Sequence, residues 1–233
     1  MPARWVHEHR FPDSTALAHA LAGEIRVDLE EAIGVRKAAS LVVSGGRTPL
    51  KLYQQLRTET LAWSKVWITL GDERWVDVAA ETSNERLVRE QLLLEQAASA
   101  HFVGLKNPAV TPEAGAEWSW RALSRVPRPF DVVVLGMGDD GHTASWPPGA
   151  SVLHDHDHDV VMVDTYRGFR RMTITPRVID RAAAVLLLVT GADKAPVFGR
   201  LLAGDRSLVA SRVIGEHTLV IADEAAVSTR AAG

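Results

Sequence analysis

The sequence predicts an α/β fold, a mainly parallel sheet covered by helices on both faces. Three observations predict it. Short apolar, β-branched runs recur along the chain and alternate with segments of helical periodicity. The runs are apolar at nearly every position, as strands buried on both faces require. Several end in glycine- or hydroxyl-rich loops, and open sheets of this kind bind ligands at the carboxyl ends of their strands.

Asp13 or Ser14 starts a helix in which Leu17, Leu21, Ile25, Leu29 and Ile33 recur at four-residue steps, with Gly34 as the stop. Ser40–Ser44 reads as a buried strand broken by Gly45 and Gly46. Thr48 and Pro49 read as N-cap and first residue of a helix whose apolar face is Leu52, Tyr53 and Leu56. Val66–Leu70 is a strand, followed by a polar loop and a helix from about Ser83 to Leu94. Phe102–Leu105 is a short strand, and a helix with Trp118, Ala122 and Leu123 follows Pro112. Val132–Leu135 is a strand ending in Gly136. Val160–Asp164, Met172–Thr175, Val185–Thr190 and Thr218–Ala222 complete the strands. A helix around Lys194–Leu202 tolerates Pro196 in its first turn. Pro127–Pro129 and Pro147–Gly149 read as loops, no repeat or linker interrupts the chain, and residues 1–233 read as a single domain.

Composition narrows the function. A chain of 233 residues suits one large domain, and 46% apolar with 24% charged residues is ordinary for a packed core. The formal net charge is -3 and no basic stripe stands out, so nucleic acid is not an expected partner. A small anion needs only a few local cations. With no cysteine, disulfides, thiolate catalysis and cysteine-based zinc sites are excluded. Met1–Arg10 lacks the apolar core of a signal peptide, and the apolar runs are far shorter than the ~20 residues of a membrane helix. The expectation is a cytoplasmic enzyme, without a membrane partner and most simply a monomer.

The loops to inspect follow Ser44, Leu70, Leu135, Thr175 and Thr190. Ser44-Gly45-Gly46-Arg47-Thr48-Pro49 joins a strand to a helix, where glycines admit close approach and free amides favour an anion. It lacks the Gly-Lys-Ser/Thr of a nucleotide loop and could also be a plain turn. Asp72-Glu73-Arg74 is either catalytic or a solvated ion-pair cluster, and Ser83-Asn84 either contacts ligand or caps a helix. Gly136-Met137-Gly138-Asp139-Asp140-Gly141-His142-Thr143-Ala144-Ser145 would expose His142 above the sheet. Histidine, with an ordinary pKa of about 6.5, is the natural general base near neutrality. The Gly-x-Gly-x-x-Gly within this loop is not read as a dinucleotide site, because Pro147 and Pro148 would stop the crossover helix that such a site needs. Arg171 and Lys194 are candidate anion ligands. His154, His156 and His158 alternate with aspartates in a polar connection, which is not read as a metal site.

Taken in order, these motifs resemble the 6-phosphogluconolactonase family across nearly the whole chain. The matching segments are Ser44–Pro49, Asp72–Arg74, Ser83–Asn84, Gly136–Ser145, Arg171–Thr175 and Gly191–Lys194. The resemblance implies a Rossmann-like fold shared with glucosamine-6-phosphate deaminases. It implies hydrolysis of 6-phospho-glucono-δ-lactone in the oxidative pentose phosphate pathway, with a small phosphorylated sugar lactone as partner and no cofactor or metal. His142 matches the general base, and Ser44, Gly45, Gly46 and Thr48 the phosphate loop. Arg74, Arg171 and Lys194 match cationic positions, and Asp72 and Asp140 acidic ones, either of which would orient the imidazole. Glycine-loop amides or Arg74 would stabilise the developing oxyanion. The family usually continues Leu-Phe-Pro-Gly after this loop, whereas here the chain reads Trp146-Pro147-Pro148-Gly149, which bears on the adjacent pocket wall.

Two other readings compete. A deaminase of the same fold would carry an Asn-Glu-Pro segment after the histidine, where this chain has no carboxylate. A non-catalytic sugar-phosphate sensor would have no need of His142.

Overall fold

A computed structural model describes residues 7–227. Its strands are β1 (His7–Phe11), β2 (Ala39–Val43), β3 (Val66–Leu70), β4 (Asp72–Arg74), β5 (His101–Val103), β6 (Val132–Gly136), β7 (Val160–Tyr166), β8 (Phe169–Ile174), β9 (Ala184–Val189) and β10 (Thr218–Asp223). The principal helices are α1 (Ser14–Arg36), α2 (Leu50–Leu56), α3 (Asn84–Gln91) and α4 (Pro112–Leu123), then α5 (Pro176–Ile179), α6 (Ala195–Leu202) and α7 (Glu224–Val227).

Seven strands pair in the order β1-β10-β9-β6-β2-β3-β5, and every neighbouring pair is parallel. Successive side chains of a strand point to opposite faces. All five residues of β2 are buried, as are Val185–Val189 of β9, so both faces of the sheet are covered. This is the mainly parallel sheet expected. β4, β8 and β7 form a second, antiparallel sheet.

α1 begins where expected: the Asp13 carboxylate accepts from the amides of Thr15 and Ala16 at 2.7 and 2.9 Å, a cap worth about 1 kcal/mol. Leu17, Leu21, Ile25, Leu29 and Ile33 are buried along it. Gly34 does not end it. The left-handed cap falls on Lys37 (φ 67°), whose amide donates to the Ile33 carbonyl and whose Nζ donates to the Gly34 carbonyl. These two bonds offset the roughly 1–2 kcal/mol that a side chain costs in that conformation.

Several other expectations are corrected. Helix α2 starts at Leu50, with Pro49 at the cap and no side-chain capping bond, so Thr48 is left in the loop. The polar segment Asp72–Arg74 is a strand paired with β8. Polar β1 pairs along the sheet edge beside β10, a contact that local sequence does not announce. Trp118 is exposed, while Gly115, Ser119 and Leu123 of α4 face inward. The His154–Asp159 run, by contrast, is the polar connection expected: a 3-10 turn ends at His154, Asp155 accepts from the amides of Asp157 and His158, and the His158 ring meets Trp120 edge-on. No helix among the described residues is long and apolar enough to cross a membrane.

Candidate active site

The strand order reverses between β2 and β6. From β2 the chain proceeds outward to β3 and β5, and from β6 to β9 and β10. The loops leaving β2 and β6 therefore part, and a crevice opens between them at the carboxyl ends. Its mouth is a cleft of about 490 Å3 lined by Ser44–Thr48, Asp72, Arg74, Asn84, Gly136–Gly138, His142, Ala144, Arg171, Thr190, Asp193 and Lys194. Four of the five loops singled out from sequence meet here. The one after β8 does not, because β8 belongs to the second sheet and Thr175 turns to the His158 carbonyl.

Close packing fixes both glycine loops. A Cβ on Gly45 would lie 1.8 Å from Asn84 Oδ1. Asn84 uses that proximity to donate from Nδ2 to the carbonyl and carboxylate of Asp72, at 2.8 and 3.1 Å. A Cβ on Gly138 would lie 2.1 Å from the His142 ring, and the Gly138 amide donates to the His142 carbonyl at 2.8 Å. Glycine is thus required for the loop to fold back over the imidazole.

His142 presents only 17% of its side chain to solvent, and its Nδ1 lies 2.5 Å from Asp140 Oδ1. Of the two candidate partners, Asp140 is therefore the one in contact. Burial pushes the Asp140 carboxyl up, but bonds from the Tyr166 hydroxyl, the His142 ring and the His142 amide outweigh it and hold the group well below the usual carboxylate range. Asp140 is ionised at neutral pH and acts only as an acceptor.

Asp72 faces elsewhere. It is buried, takes the Ser145 hydroxyl on Oδ2, and pairs with Arg171 Nη1 at 3.3 Å. Arg171 also donates to Ser145 Oγ and to the Tyr166 carbonyl. Burial lowers the Arg171 pKa and the Asp72 charge opposes that shift. Arg74 donates to the Thr82 carbonyl at 2.6 Å, while its Nε is buried without an acceptor. Lys194 is anchored loosely, 3.6 Å from Asp193, and Arg47 is exposed with no acidic partner among the described residues. Ser44 Oγ donates to the Val134 carbonyl, tying β2 to β6, so that of the loop hydroxyls Thr48 is the one without a bond among the described residues.

Glu73 lies just outside the cleft. It is fully buried at the start of α3 and accepts from the amides of Arg74, Asn84 and Glu85 and from the Ser83 hydroxyl. Burial pushes its carboxyl up to about 7 against the pull of those bonds. It fixes the turn between β4 and α3, and with it Asn84.

The chain has relatives. A family model described as glucosamine-6-phosphate isomerases/6-phosphogluconolactonase matches residues 12–221. The chain belongs to that family. It is 42% identical over 204 residues to a 6-phosphogluconolactonase of Mesorhizobium japonicum, covering 84% of this chain and 85% of the relative. It is 40% identical to one of Rhizobium meliloti, covering 82% and 85%. A crystal structure of a 6-phosphogluconolactonase from Shewanella baltica superposes with a TM-score of 0.90 at 40% identity, over 96% of this chain and all of that one.

Trp146, the first residue of the segment that departs from the Leu-Phe-Pro-Gly expected by resemblance, is fully buried and donates from Nε1 to the Ile174 carbonyl at 2.7 Å. Trp75 also turns away, packing on Gly115 and under Lys106. Sequence reasoning passed over Tyr166, whose hydroxyl touches both Asp140 and His142. It lies in no motif, and only the fold brings it across 24 residues to the histidine.

Proposed function

We propose that this chain hydrolyses 6-phospho-glucono-δ-lactone to 6-phosphogluconate, with His142 as general base. The observation that carries the reading is a histidine anchored through Nδ1 to an ionised carboxylate, on the wall of a cation-rich cleft in a chain of this family. With Nδ1 donating to Asp140, Nε2 keeps its lone pair and takes a proton from the attacking water. As water adds to the lactone carbonyl, charge gathers on the carbonyl oxygen. Amides of the glycine loops and the Arg74 guanidinium supply donors for it. The imidazolium, stabilised by Asp140, then protonates the departing ring oxygen. The lactone is already electrophilic, so no covalent enzyme intermediate is needed.

Four cationic side chains line the cleft against two carboxylates, which favours an anion. Arg171 is committed to Asp72 and Ser145, so the phosphate falls to the amides of Gly45–Thr48, the Thr48 hydroxyl, Arg47 and Lys194. Arg171 and Asp72 hold the cleft floor. A monomer is the simplest state for this chain, and the lack of cysteine suits the reducing cytoplasm.

The test generates the lactone from glucose 6-phosphate with a dehydrogenase and follows 6-phosphogluconate above the spontaneous background. Faster appearance with the protein is expected. Folded protein that leaves the background unchanged, or that releases ammonia from glucosamine 6-phosphate instead, would overturn the reading.

A further inference from the structure

We propose that Tyr166 is a positioning residue for the base, its single phenol hydrogen committed to Asp140 so that His142 Nδ1 is held as a donor and Nε2 is left free. This rests on the reading of His142 as the base. The Tyr166 hydroxyl lies 2.5 Å from Asp140 Oδ2 and 3.0 Å from His142 Nδ1. It has one hydrogen to give. The ionised carboxylate is the stronger acceptor and takes it. Burial and the neighbouring Asp140 charge push the phenol up to about 12, so the hydrogen stays on Tyr166 at neutral pH. The phenol oxygen then turns a lone pair to Nδ1. Both neighbours of Nδ1, Asp140 Oδ1 and Tyr166 Oη, are acceptors, and Nδ1 must carry the proton.

The fold holds Tyr166 for this role from several sides. It ends β7 at a two-residue turn whose residues, Arg167 and Gly168, both have positive φ, at 49° and 82°. Its ring meets the imidazole edge-on at 5.3 Å between centroids. Arg171 of β8 donates to the Tyr166 carbonyl and places its guanidinium 5.4 Å from the ring. From the turn, Arg167 pairs with Asp139 and lies 3.3 Å from Asp140. Lys194, which lines the cleft with His142, adds its charge near Asp139. Tyr166 itself does not line the cleft, so it acts through Asp140 and His142.

Tyr166→Phe keeps the ring and removes the hydroxyl. In the lactone assay, kcat should fall about tenfold, short of the roughly 10²–10⁴-fold expected for loss of the base itself, with KM within about twofold of wild type. The acidic limb of the kcat–pH profile should move to higher pH, because a carboxylate no longer sharing its charge with the phenol hydrogen stabilises the imidazolium more. An unchanged kcat, or a fall in kcat with the limb in place, would overturn the proposal, since lost packing alone gives the latter. His142→Ala runs beside it. A fully active His142→Ala removes the base and this role together, whereas an inactive His142→Ala with a wild-type-like Tyr166→Phe removes only the role of Tyr166. A further measurement needs no Tyr166 variant: ¹⁵N spectra of histidine-labelled protein, assigned with His142→Ala, should show Nδ1 protonated and Nε2 bare above the limb. The opposite tautomer would overturn the proposal.

Discussion

Asp72 and Arg171 meet at 3.3 Å inside the small antiparallel sheet, with 8% and 6% of their side chains exposed. Removing one member of a buried pair leaves the other uncompensated, which costs about 3–5 kcal/mol. Asp72→Ala should therefore lower the unfolding free energy by about that much in urea titrations. A loss under about 1 kcal/mol, the scale of an exposed pair, would show that water already screens the two charges.

Among the described residues, Arg74 and Arg171 donate to protein acceptors, whereas Lys194 and Arg47 are the cleft cations held by no hydrogen bond. A charged hydrogen bond to phosphate is worth roughly 1.5–3 kcal/mol, or about 10–100-fold in binding. Lys194→Ala and Arg47→Ala should raise KM for the phosphorylated lactone by such factors and leave the unphosphorylated lactone nearly unaffected. Equal effects on both substrates would place the phosphate elsewhere.

His142→Ala should lower kcat by roughly 10²–10⁴-fold with an unchanged melting temperature. Gly138→Ala should mimic part of that loss, because its Cβ would meet the imidazole at 2.1 Å and the ring must move. Wild-type kcat in Gly138→Ala would mean that the ring position is not critical.

Glu73 predicts a pH dependence of stability. Its folded pKa, about 7, lies above its ordinary value of 4.5. A group raised on folding contributes fully below its unfolded pKa and loses that contribution as pH rises through the folded one. The stability of wild type relative to Glu73→Gln should therefore decline between about pH 4.5 and 7. Chemical denaturation across that range checks it, and a flat difference would show that the four donors around Glu73 keep it ionised throughout.

Much of this protein was legible in the sequence because the signals are local. The apolar runs of β2, β6 and β9 mark strands buried on both faces, and Asp13 with the four-residue repeat from Leu17 to Ile33 marks α1. The glycine loops mark the cleft end of the sheet because glycine allows the close approaches found at Gly45 and Gly138. Other features depend on partners remote in sequence. Asp72–Arg74 reads as loop until β8 pairs with it, and β1 has no apolar run to mark it and is a strand through its pairing with β10. Whether Asp72 or Asp140 contacts His142, whether Arg171 is a free cation, and that Tyr166 reaches the imidazole were all decided by the tertiary structure. Side-chain direction and burial arise from the packing of two sheets, and a linear pattern of residues carries the composition of a site but not which oxygen faces which nitrogen.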